Sequence, residues 1–181
     1  IYACDYKGQD YAFLDGKARY YPCGAYSEGI DKFCERFQKR LQKEEQRCTR
    51  CVLLLDEFNS YMNSLGDKKK QEAYKEKLAL VVNMSRTYDM NVLLCGQRID
   101  SSIVGTCRDS FGFRVGLSSL SKETYDMLFP GFPELRASSR TLGVGEGYLL
   151  QEGCGVEIQE VIVPSISDRG RLEAVISKAV E

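Results

Sequence analysis

Two short stretches of this chain carry side chains suited to phosphate chemistry. Residues 51–58 read Cys-Val-Leu-Leu-Leu-Asp-Glu-Phe, an apolar run that stops at two adjacent carboxylates. Residues 91–98 read Asn-Val-Leu-Leu-Cys-Gly-Gln-Arg, a second run that stops at Gln97 and Arg98. A carboxylate such as Asp56 can hold hydrated Mg2+, and its neighbour Glu57 can take a proton from an attacking water. An amide such as Gln97 can donate to a phosphate oxygen and accept from a water. Alone, the acid pair reads equally well as a strand end with two solvated carboxylates. The amide at a second strand tip favours hydrolysis of a phosphoanhydride.

These side chains act together only if the backbone brings them level. Continuous apolar runs mark buried parallel strands, and ligands in open α/β sheets lie beyond the carboxyl ends of such strands. Between the runs, Ala73, Leu80, Val81 and Met84 recur at roughly helical spacing. A strand–helix–strand unit of this kind pairs its strands in parallel through a right-handed crossover. Strands are expected at 1–5, 51–56, 91–96 and 111–117, mainly parallel, with a short strand reaching residues 20–21. Ser27 is placed to cap a helix to about Gln46, burying Ile30, Phe33, Phe37 and Leu41 and solvating its Lys/Arg/Glu-rich face. Residues 58–64 read as a short helix or loop, 70–88 as a helix and 100–107 as a loop. Ser121 caps a helix through Leu128, and 132–142 form a polar loop. Strands over 146–150 and 156–163 pair antiparallel across Glu152-Gly-Cys-Gly, and Ser167 or Asp168 caps a last helix to about Val180. The series Gly143, Gly145, Gly147 leads into strands rather than a helix, so it reads as turn geometry and not dinucleotide binding.

The run Ser85-Arg86-Thr-Tyr-Asp-Met-Asn-Val-Leu-Leu-Cys-Gly-Gln97-Arg98-Ile-Asp100 resembles the segment of FtsK/SpoIIIE-type ATPases that ends in Thr-Gln-Arg-Pro. Cys107-Arg-Asp-Ser-Phe-Gly-Phe-Arg-Val-Gly-Leu, residues 121–125 and Met127-Leu-Phe-Pro-Gly resemble the FtsK-like coupling proteins of conjugative elements. Gly143-Val-Gly-Glu-Gly-Tyr148 is similar to their glycine-rich segment. Ala3-Cys-Asp5-Tyr-Lys7-Gly8 is similar to the strand end after their Walker A helix. The likeness runs over nearly the whole chain. It implies an α/β fold with a RecA-like (ASCE P-loop NTPase) core, a mainly parallel sheet and an antiparallel C-terminal extension, with residues 1–181 forming part of one motor domain.

The same resemblance implies ATP and Mg2+ as cofactors and ATP-driven DNA translocation by a hexameric ring of identical subunits. The alternatives are a type VII-like secretion ATPase moving protein, or a non-catalytic FtsK-like module that binds partners. Asp56 would hold Mg2+ through water, Glu57 would be the general base and Gln97 the phosphate sensor. Arg108, which precedes a strand, is favoured over Arg114 as the arginine reaching the neighbouring subunit's site. Lys68, Lys69 and Lys70 align with a basic pair in the DNA-facing loop, where they read equally well as a solubilising cluster. Arg98 is expected in an ion pair with Asp100 or Asp89. Residues 100–105 match the second pore-facing loop by position but carry no basic side chain.

The chain departs from the family in one large respect: no Gly-x-x-x-x-Gly-Lys-Ser/Thr occurs in its 181 residues. Gly16-Lys17 does not qualify, because position 11 is Tyr and Ala18 follows the lysine. Without that loop no row of backbone N–H groups cradles the phosphates. The expectation is an N-terminally truncated fragment that alone binds ATP weakly and is inactive, with a gap or open edge in its sheet. Met90, Asn91, Ile99 and Asp100 also depart from the family pattern.

Composition sets outer bounds. With 43% hydrophobic and 28% charged residues, the chain fits one soluble domain. Its net charge of −1 gives no overall basic field, so any DNA contact must come from a local cluster. There are eight cysteines and no histidine. Cys48-Thr-Arg-Cys51 lacks the two further ligands of a structural zinc site, and a reduced cytoplasmic chain is expected. Cys4, Cys51 and Cys95 fall in the expected buried strands. No run is long enough to span a membrane; a parent protein could be membrane-anchored through upstream segments.

Overall fold

The computed structural model describes residues 1–46, 49–99, 101–137, 141–151 and 158–181. They form two compact units, residues 1–97 with 168–181, and residues 98–167. In chain order the elements are β1 (Tyr2–Asp5), β2 (Tyr20–Pro22), α1 (Tyr26–Leu41), β3 (Cys51–Asp56), α2 (Phe58–Ser64), α3 (Lys68–Met84), β4 (Met90–Leu94), α4 (Ser101–Val104), β5 (Phe113–Leu117), α5 (Lys122–Leu128), α6 (Pro133–Ala137), β6 (Glu146–Gln151), β7 (Ile158–Ile162) and α7 (Arg169–Val180).

The first unit is built on a four-stranded sheet in the order β2-β1-β3-β4, with every pairing parallel. Asp5 is the partner of Asp56 across β1 and β3, so both strands end level. Ile30, Phe33 and Phe37 are buried on α1, which packs against β1 and β2. On the opposite face Ala3, Leu14, Tyr20 and Val180 form a second core, with Ile176 of α7 packed against it. That cover thins out toward β3 and β4. Val52 and Leu54 are half-buried, and Leu93 on the outermost strand is 54% exposed. Of the two edge strands, β2 is buried at Tyr20 and Tyr21 whereas β4 is the more open.

Several local expectations are corrected. The strand at 113–117 does not join the parallel sheet; β5 pairs antiparallel with β6 in a separate three-stranded sheet, β5-β6-β7. An apolar run marks a buried strand but says nothing about its partner. The helix α1 starts at Tyr26, after a 3-10 turn at Cys23–Ala25, so Ser27 is not its cap, and it stops at Leu41 rather than near Gln46. Leu41 is exposed, and Arg40, expected on the solvated face, is only 2% exposed.

The helix α3 begins two residues earlier than expected because Asp67 accepts from the Lys69 N–H and caps it; a 3-10 turn at Ser85–Tyr88 follows. It buries Leu78 and Val81, while Ala73, Leu80 and Met84 of the expected apolar stripe are exposed. Residues 101–110 are a short helix and a 3-10 turn rather than a loop. Within 132–142, α6 interrupts the expected loop and Leu142 is buried.

In the second unit, Phe129, Leu142, Tyr148 and Leu150 form a core with Leu120, Tyr125, Leu128, Phe132, Leu135 and Ile158 against them. Ser121 caps α5 by accepting from the Thr124 N–H, and Asp168 caps α7 by accepting from the Arg171 N–H. Gly145 takes φ +82, and Glu146 accepts from the Gly143 N–H, so the glycine series forms a turn into β6. The turn expected at 152–155, Asp100 and Cys48 lie outside the described residues. No helix among the described residues is long and apolar enough to cross a membrane.

Candidate active site at the parallel strand ends

Parallel strands end on one side of a sheet, and here β1 and β3 both end in aspartate. Asp5 is fully buried and spends its carboxylate on its own loop. Oδ1 accepts from the Gly8 N–H at 2.9 Å, and Oδ2 accepts from the Tyr11 N–H at 3.2 Å and the Tyr20 hydroxyl at 3.0 Å. The loop needs Gly8 at φ +65, where an added Cβ would lie 2.8 Å from Cys23 Sγ. The result is a fixed turn after β1 that carries Lys7.

Asp56 closes β3, and the Tyr26 hydroxyl donates to its carbonyl oxygen at 3.1 Å. Tyr26 stacks on Tyr61 of α2 at 4.4 Å between ring centroids, and Tyr6 packs edge-on against both. This aromatic wedge anchors the strand end and the helix that follows. Between them Glu57 adopts φ 50, ψ 39, a left-handed conformation unusual for glutamate, which costs on the order of 1 kcal/mol or more. Its carbonyl accepts from the Ser60 and Tyr61 N–H groups and starts α2.

The Glu57 side chain gathers donors from three elements. Lys7 Nζ donates to Oε1 at 2.6 Å, Gln97 Nε2 donates to the same oxygen at 3.3 Å, and Ser60 Oγ donates to Oε2 at 3.4 Å. Two of these donors, Lys7 and Ser60, are absent from the residues singled out by sequence. The Asp5-x-Lys7-Gly8 run was visible as a resemblance. That the lysine meets the second acid follows only from β1 lying beside β3. Gln97 lies three residues beyond the end of β4 in a bend, and the backbone between is tied down because the Cys95 N–H donates to the Leu55 carbonyl.

The environments of the two adjacent acids shift their pKa values in opposite directions. The Lys7 hydrogen bond, helped by Lys7's charge and by Gln97 and Ser60, outweighs burial and holds Glu57 below the usual carboxylate range. Burial first, then the charges of Asp5, Glu57 and Asp10, push Asp56 up. Neighbouring carboxyls with divergent environments are the arrangement from which distinct acid–base roles arise. Lys7 is shifted up in turn, chiefly by its bond to Glu57.

The donor set fits Mg2+ in a limited way. Among the described residues no group of three or more His, Cys, Asp or Glu is placed to hold a metal. One carboxylate is still consistent with Mg2+, which keeps several waters and takes its remaining ligands from substrate phosphates. Asp56 is partly open, and the positive charge of a cation would reverse its upward shift.

The other sequence candidates belong to other segments of the chain. Lys68, Lys69 and Lys70 are exposed in the first turn of α3, within a helix rather than in a loop. Arg108 belongs to the second unit, where its guanidinium donates to Asp109 Oδ1 at 2.8 Å. Arg114 is buried and donates to the Phe111 and Asp109 carbonyls, which makes it part of that unit's framework. Arg98 is exposed and acts electrostatically on Glu123.

No family model matches the chain, and no curated protein matches it in sequence. Among solved structures it is similar to the cytoplasmic domain of the type VII secretion ATPase EccC from Thermomonospora curvata. The TM-score is 0.65 at 16% identity, and the match covers 98% of this chain and 24% of that one. The fold is a RecA-like α/β core carrying an antiparallel extension. The chain spans about a quarter of that structure's length.

Proposed function

We propose that this chain is the catalytic half of an ATP-driven motor domain of the FtsK/SpoIIIE type. What supports this reading is the meeting of Glu57 with Gln97, next to Asp56, at adjacent parallel strand ends. In it Asp56 would hold Mg2+, and the ionised Glu57 accepts the proton of the attacking water. Gln97 would contact the terminal phosphate. When bound, Mg2+ supplies charge neutralisation on the phosphate oxygens. The phosphate cradle comes from outside these 181 residues, which contain no Gly-x-x-x-x-Gly-Lys-Ser/Thr. Arg108, paired with its neighbour Asp109, is the arginine offered to the next subunit of a hexameric ring in the cytoplasm.

DNA is the cargo that the chain's own residues favour. Lysines in the first turn of a helix oppose its macrodipole, and an anionic partner at Lys68, Lys69 and Lys70 would offset that cost. Polypeptide cargo is the second reading, favoured by the likeness to the secretion ATPase. The test is hydrolysis by the intact protein. Glu57→Gln is expected to lower the rate roughly 10²–10⁴-fold while nucleotide still binds. Wild-type hydrolysis by that variant would overturn the motor reading. Stimulation by duplex DNA that disappears when the three lysines become glutamate supports DNA cargo, and stimulation by a secreted polypeptide alone moves the assignment to protein.

A further inference from the structure

The Lys7–Glu57 pair joins the loop after β1 to the side chain read as the general base. Both oxygens of Glu57 are engaged: Oε1 by Lys7 and Gln97, Oε2 by Ser60. Oε1 thus accepts twice and is filled, while Oε2 accepts once, at 3.4 Å, and keeps one acceptor position for a water. Lys7 does not reach it by chance, because Asp5 fixes the turn through three accepted hydrogen bonds. The two partners are unequal in exposure: the Lys7 side chain is 47% exposed and that of Glu57 12%. An ion pair with one end in water is weak and exchanges readily. The pair therefore holds Glu57 in place without locking it, as a detachable counterion would.

We propose that Lys7 is a positioning residue that keeps Oε1 of Glu57 occupied until nucleotide and metal enter. The proposal rests on Glu57 being the general base. Positive charge arriving beside Asp56 repels the ammonium and competes for the same acidic cluster, so Lys7 lets go as the site fills. Gln97 is then free to shift from Glu57 to the phosphate. Asp5 takes no part in the reaction; it sets where Lys7 stands.

Two measurements on the intact protein test this. Steady-state hydrolysis without cargo is expected to rise in Lys7→Met by about two- to fivefold in kcat at unchanged KM, with Lys7→Arg at the wild-type value. Carbodiimide coupling, which joins an amine and a carboxylate in contact, is expected to yield a Lys7–Glu57 cross-link in nucleotide-free protein. That cross-link should fade when a non-hydrolysable ATP analogue with Mg2+ saturates the site. A kcat for Lys7→Met at or below wild type, or a cross-link undiminished by nucleotide, overturns the proposal. Retained hydrolysis in Glu57→Gln instead overturns the functional reading beneath it, so the two failures are distinct.

Discussion

The parallel sheet collects its polar strand ends along one edge, whereas the antiparallel sheet distributes them between two. In β1 and β3 the register sets Asp5 opposite Asp56, and the chain after β4 returns Gln97 to the same edge. In β5, β6 and β7 successive strands run in opposite directions, and the charged groups nearby close on themselves: Arg108 on Asp109, Glu146 on the Gly143 N–H. Topology, more than composition, decides where a cluster of unlike functional groups can form. The first unit bears a constellation; the second bears a scaffold.

Each unit also buries an arginine, and the contrast between these two gives the largest expected effect. Arg40 donates to the Tyr88 carbonyl at 2.8 Å, the Thr49 carbonyl at 3.0 Å and Glu45 at 3.0 Å, tying the end of α1 to the segments that flank β3 and β4. Arg40→Ala removes the donor from two part-buried carbonyl bonds, leaves Glu45 with Arg36 alone and empties a buried site, and is expected to cost about 2–4 kcal/mol. Arg114 donates to two carbonyls close by in sequence, Phe111 and Asp109, and Arg114→Ala should cost less, on the order of 1–3 kcal/mol. Hydrogen exchange read separately on β1, β3 and β4 and on β5, β6 and β7 checks both. Equal loss of protection everywhere would show that the units unfold as one and erase the distinction.

Next come the two close approaches. A Cβ on Gly147 would stand 2.3 Å from the Gly116 carbonyl oxygen, a backbone atom fixed by the β5–β6 ladder. A Cβ on Gly29 would stand 2.5 Å from Cys4 Sγ and 2.6 Å from the Tyr21 ring, both side chains able to move a little. Overpacking costs about 1–3 kcal/mol, with Gly147→Ala at or above the upper end and Gly29→Ala lower. Urea midpoints followed by the same exchange signals rank them, and a reversed order would mean that the antiparallel sheet yields more easily than the α1 face.

How much of this was readable from sequence follows the same division. The apolar runs that became β1, β3 and β4, the Ile30/Phe33/Phe37 face of α1 and the acid pair at a strand end are local patterns, and they were legible. The buried side of α3 was not. Tyr74, Leu78, Val81 and Ser85 lie at helical spacing, but a tyrosine and a serine disguise the stripe, while Leu80 and Met84 advertise a face that remains exposed. Lys7 as partner of Glu57 and Arg40 as a buried anchor required knowing which strands are neighbours. So did the pairing of β5, whose alternation of exposed Phe113, Val115 and Leu117 with inward Arg114 and Gly116 suits the edge of a sheet covered on one side.

The smallest expected effect is a pH dependence that separates Asp56 from Glu57. A carboxyl whose folded pKa is depressed, as Lys7 does for Glu57, adds stability above its unfolded value near 4.3, and that stability is lost as pH falls through the lower folded value. A carboxyl whose folded pKa is raised, as burial does for Asp56, subtracts stability at neutral pH, and the deficit vanishes as pH falls through the raised value. In metal-free protein, Glu57→Gln should thus lower the neutral-pH unfolding midpoint and Asp56→Asn should raise it, each by on the order of 0.5 kcal/mol after solvent screening. Both differences should shrink toward acid. Asp109 in the second unit is also shifted down, by Arg108, but it stands in water, and Asp109→Asn should leave the profile unchanged. Midpoints across the acid range in low salt decide the matter: if Asp56→Asn and Glu57→Gln move stability in the same direction, the opposed environments assigned to these neighbours do not exist.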